Sequence, residues 1–113
     1  MRLVIFISGI AILISTMGAV GDTRRGSDTY YALIYDFEVA QFCGLVSRRV
    51  HEAFWTKRRI TEAQSKRTTE QIRQTRIKAM AAADIEYANR GLGGYKPWCN
   101  SEGRAGITRI TNP

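Results

Sequence analysis

Tyr30-Tyr31-Ala32-Leu33-Ile34-Tyr35-Asp36-Phe37-Glu38-Val39-Ala40-Gln41-Phe42 is apolar almost all the way round a helix. A strand reading fails, because Tyr30 to Tyr35 shows no alternation of apolar and polar positions. A helix that is apolar on most faces is buried among other helices. The stretch therefore predicts the central helix of a small all-α domain, over residues 29–43. Ser27 or Asp28 can cap its start near Thr29. Gly44, directly after Cys43, is a natural stop.

Upstream, Met1-Arg2 precedes the apolar run Leu3 to Ile14, and small residues follow up to Ala19-Val20-Gly21. A positive start, an apolar middle and a small-x-small exit describe a secretory signal peptide over 1–21. Cleavage is expected between Gly21 and Asp22. Retained instead, the 18 residues from Leu3 to Val20 would form a single-span membrane anchor. After Val20 nothing is apolar for long enough to make another span. The expected mature chain is Asp22–Pro113, with 92 residues, 16 Lys and Arg, and 10 Asp and Glu, so its net charge is +6. Residues 22–28 read as a flexible N-terminus, and 29–100 as one helical domain.

Export places the chain in an oxidising compartment, secreted or periplasmic. Cys43 and Cys99 are its only two cysteines. Their pairing within the chain is the default there, with an intermolecular bridge as the alternative. A loop of that length stabilises by roughly 4 kcal/mol in the chain-entropy account. With no Cys-x-x-Cys and no Cys/His cluster, the spacing points to neither a redox nor a metal site, and no cofactor is expected.

From Leu45 to Arg90 there is neither Gly nor Pro, and apolar residues recur at helical spacing. One unbroken helix over that range would be about 68 Å long. The nine residues from Arg90 to Cys99 reach only about 30 Å. An intramolecular bridge to Cys43 therefore requires a fold-back. The weakest point is the polar Gln64-Ser65-Lys66-Arg67-Thr68-Thr69, where Thr68-x-x-Gln71 can form a capping box. Helices are expected near 45–63 and 69–90, giving a three-helix bundle. Against this break stand Glu62, Lys66 and Glu70, which are spaced as a charge ladder on one continuous helix. Asn89-Arg90-Gly91-Leu92 fits a Schellman stop, with Leu92 folding back on the last turn.

The tail from Gly91 is rich in glycine and reads as irregular structure clasped by the disulfide, with residues 101–113 loosely ordered. Tyr95 and Trp98 are expected either to plug one end of the core or to form an aromatic binding platform. Gly91-x-Gly93-Gly94 follows a helix instead of leading into one, which is the wrong order for a phosphate-cradling loop.

Chemistry-bearing residues are few. His51 is the only histidine, and nothing in the sequence converges on it as a triad would. Glu38 shares an apolar helix face with Tyr31, Tyr35 and Phe42. A carboxylate there must be paired, hydrogen-bonded or neutralised. It is expected either to pair with an arginine such as Arg48 or Arg90, to bond tyrosine hydroxyls, or to be functional. Asp36, Asp84 and Glu86 are further carboxylates near apolar faces.

Lys57, Arg58 and Arg59 and the pair Lys66 and Arg67 form two basic clusters expected to meet at the turn end of the bundle. A basic exported domain attracts anionic partners, whereas export removes it from most nucleic acid. These features together point to a non-enzymatic exported binding module for an anionic envelope component or protein partner. The alternatives are a small extracytoplasmic hydrolase using Glu38 or Asp84 as general acid, and the single-span anchored protein.

Overall fold

The structure is a computed structural model that describes residues 28–91 and 93–113. The expected signal peptide, residues 22–27 and the expected fold-back of Leu92 lie outside the described residues. Those described are all-α. Helices α1 (Thr29–Phe42), α2 (Arg48–Gln64) and α3 (Thr69–Ala88) are followed by the short α4 (Tyr95–Trp98), a π-helical turn (Cys99–Gly103) and α5 (Arg104–Thr111). No helix among them is long and apolar enough to cross a membrane.

Local signals set the helix ends. The Asp28 carboxylate accepts hydrogen bonds from the Tyr30 and Tyr31 amides at 2.9 and 3.3 Å, satisfying two donors that the first turn leaves unpaired. α1 ends in a Schellman motif. The Gly44 amide donates to the Gln41 carbonyl and the Leu45 amide to the Ala40 carbonyl. Gly44 sits at φ 65°, a conformation only glycine adopts cheaply. Ser47 caps α2 through the Val50 amide.

The fold-back falls at residues 65–68. The Thr68 hydroxyl accepts from the Gln71 amide, and the Gln71 side chain accepts from the Thr68 amide, completing the capping box. The competing charge ladder does not form. Glu62 takes Arg58 at 3.0 Å, while Glu70 takes Arg73 at 2.7 Å.

α1 is the core. Residues Ala32 to Phe37 are all buried, as are Tyr30, Val39 and Ala40. α3 lies along it, brought close by Ala79 and Ala83, which are fully buried and carry no bulk. α2 and α5 pack on α1 as well as on each other. The Phe37 and Phe54 rings stack at a centroid distance of 3.7 Å and join α1 to α2.

Cys43 and Cys99 are bonded, with Cα atoms 5.4 Å apart. The C-terminal segment departs from expectation. Residues expected to be irregular and loosely ordered are helical, and Ile110 is only 1% exposed. The glycines that read as helix breakers are close-approach positions. A β-carbon on Gly103 would lie 3.1 Å from the Leu45 side chain and 3.2 Å from the Cys43 sulfur; one on Gly106 would lie 3.3 Å from the Asp36 side chain. The missing side chains let the tail seat against the disulfide and α1.

Candidate functional site

The five predicted basic residues divide into two groups. Lys57 turns inward and donates to the backbone carbonyls of Arg109, at 2.8 Å, and Asn112. Its ammonium thereby caps the C-terminal end of α5, where the helix dipole favours positive charge. Arg58 bonds Glu62 and lies over the Trp55 ring, 4.6 Å from its centroid. Arg67 pairs with Asp28, tying the turn to the start of α1. Arg59 and Lys66 are exposed, with no carboxylate partner among the described residues.

Asp36 is 3% exposed and accepts two hydrogen bonds from Arg109, both of 2.9 Å. This fork is the charge-assisted arrangement that holds geometry best. Sequence reading missed it because the partners are 73 residues apart and no local pattern links them. A cavity of about 310 Å³ beside the pair runs between α1, α2 and α5. Lys57 and the Asp36–Arg109 pair, its charged lining groups, are engaged with the protein itself.

Glu62 gathers a second network. It accepts from the Tyr30 hydroxyl at 2.5 Å and from Arg58 at 3.0 Å, with Arg76 at 3.8 Å. Partial burial alone would push its carboxyl up, but these hydrogen bonds and the two guanidinium charges hold it below the usual range.

Neither arginine expected beside Glu38 is there. Arg48 pairs with Glu52 within α2, and Arg90, just past the end of α3, reaches back to Glu86; the i,i+4 spacing makes both contacts cheap. Glu38 has no hydrogen bond or ion pair to any described residue. Burial pushes its carboxyl above the usual carboxylate range, and the nearby charge of Asp84 pushes it further. The fold thus brings Asp84 near Glu38, while Asp36 and Glu86 are held elsewhere in ion pairs.

Trp98 is 4% exposed and belongs to the core. Tyr87 packs against it and the Arg90 guanidinium covers its ring. Of the expected aromatic platform only Tyr95, 36% exposed, reaches solvent, so the plug is the arrangement seen. His51 accepts a 3.0 Å hydrogen bond from the Trp55 indole N–H one turn on. The four-residue spacing of that pair is visible in the sequence and could have flagged it.

Among the described residues no three His, Cys, Asp or Glu side chains are placed to hold a metal ion. No protein-family model, curated protein or solved structure matches the chain.

Proposed function

We propose that this protein is an exported, non-enzymatic binding module that takes an anionic envelope component or an acidic protein partner at the α2–α3 turn end. One observation carries the reading. Arg59 and Lys66, exposed near and within that turn, lack carboxylate partners among the described residues. Their charges are available to an outside anion, unlike those of Lys57, Arg58 and Arg67. The wider charge balance agrees, since residues 28–113 carry 14 Lys and Arg against 9 Asp and Glu. The disulfide suits an oxidising compartment.

The test is vesicle co-sedimentation at low salt, comparing phosphatidylglycerol with phosphatidylcholine. Binding is expected to phosphatidylglycerol only, and to fade at high salt as exposed charges are screened. Each surface cation near an anionic bilayer contributes about 1 kcal/mol, so Arg59→Gln with Lys66→Gln is expected to weaken binding roughly 30-fold. Glutamine is a comparable helix former, and helical content is expected to stay unchanged. Equal binding to both vesicle types, or none to either, would sink the electrostatic reading.

A further inference from the structure

α2 and α3 part from their shared turn; α3 leans chiefly on α1, and α2 rests on both α5 and α1. Between them α1 floors a cavity of about 230 Å³. Phe37 and Phe54 line its inner part, and Trp55 of α2 faces Met80 of α3 across it. Trp55 is 38% exposed and Met80 39%, so both walls are open to solvent. Glu38 stands among them.

The charges around this groove are unevenly matched. Arg58 from α2 and Arg76 from α3 both line it, but both are turned to Glu62. Glu38 and, on α3, Asp84 have no ionic partner among the described residues. On a basic protein, this groove therefore presents an uncompensated carboxylate on an apolar floor, with a second carboxylate close enough to repel it. A half-buried carboxylate without a counter-ion is costly, and a cation brought from outside removes that cost. Aromatic and thioether walls suit an alkyl stem.

We propose that the α2–α3 groove binds a primary ammonium group on an alkyl stem, with Glu38 as its counter-ion and Phe37, Trp55 and Met80 against the stem. An ammonium brings three donors to a carboxylate that has lone pairs unused. The site stands independently of the basic turn end, since it uses opposite charge on a different face. The group comes either as a free alkylamine or as a lysine side chain of a partner protein.

The probe is n-hexylamine, titrated into the full disulfide-bonded protein at pH 7.5 and followed by calorimetry and tryptophan fluorescence. Saturable binding is expected, with a fluorescence change that Trp55→Phe removes. Hexanol and hexanoate, of similar shape but neutral and negative, are expected to bind at least tenfold more weakly, because only the ammonium meets Glu38 with opposite charge. Glu38→Gln is expected to cost hexylamine a similar factor. Since the cation needs ionised Glu38, its affinity is expected to fall as pH drops through that carboxyl's raised pKa, by up to about tenfold per unit.

A short peptide with one lysine is compared with its acetyl-lysine counterpart. Lysine-dependent binding tighter than that of hexylamine assigns the group to a protein partner; binding no tighter assigns it to a free amine. The proposal is overturned if hexanol binds as well as hexylamine to the wild-type protein. It is equally overturned if affinity rises on acidification, as it would for a ligand requiring the protonated acid.

Discussion

Cys99→Ser is expected to destabilise the domain by about 2–4 kcal/mol, measured by urea unfolding without reductant. The bridge joins positions 56 residues apart and lies where the end of α1 meets the π-helical turn. Its loss lengthens the reach of the unfolded chain, and in the folded state it releases the one covalent hold on the C-terminal segment. The wild-type protein treated with reductant is expected to lose stability by a similar amount, which separates the bond from the substituted side chain. Free thiols on both cysteines in native, unreduced protein would overturn the pairing.

Ile110→Ala is expected to cost about 2–4 kcal/mol in the same assay. Ile110 is 1% exposed and belongs to the central apolar cluster around α1. Truncation removes its packing and leaves a cavity that the neighbours fill only in part. A loosely held tail predicts the opposite, a change within about 0.5 kcal/mol, as for an ordinary surface position. The two substitutions act on one segment, so their effects are expected to combine to less than their sum. Once the disulfide is gone, α5 is freer to leave the core, and Ile110 has less native packing to lose.

The local grammar of the chain was legible from its sequence. α1 was readable because its apolar residues run all round the helix, a pattern stable only in the middle of other helices. Gly44 and the Thr68–Gln71 box were readable because caps are made by residues within a few positions of one another. The fold-back between α2 and α3 followed from chain reach alone, once Cys43 was paired with Cys99. The basic end was legible as a count of charges, though the count did not separate outward cations from inward ones.

The sequence by itself therefore determined α1, α2 and α3, the caps between them and the disulfide. Tertiary structure alone decided how the last helix docks and which charges are spent. α5 has few apolar residues, and its Gly106 reads locally as a breaker, yet at the α1 surface that glycine is what permits contact with Asp36. Arg109 has its partner 73 residues away, and Lys57 has its carbonyls at least 52 residues away. Glu38 was recognisable as a carboxylate on an apolar face, but its want of a partner was not. The physical reason is range. Caps and helical periodicity arise among neighbours along the chain, whereas an ion pair, a close approach or an unneutralised carboxylate depends on what the completed fold brings from elsewhere.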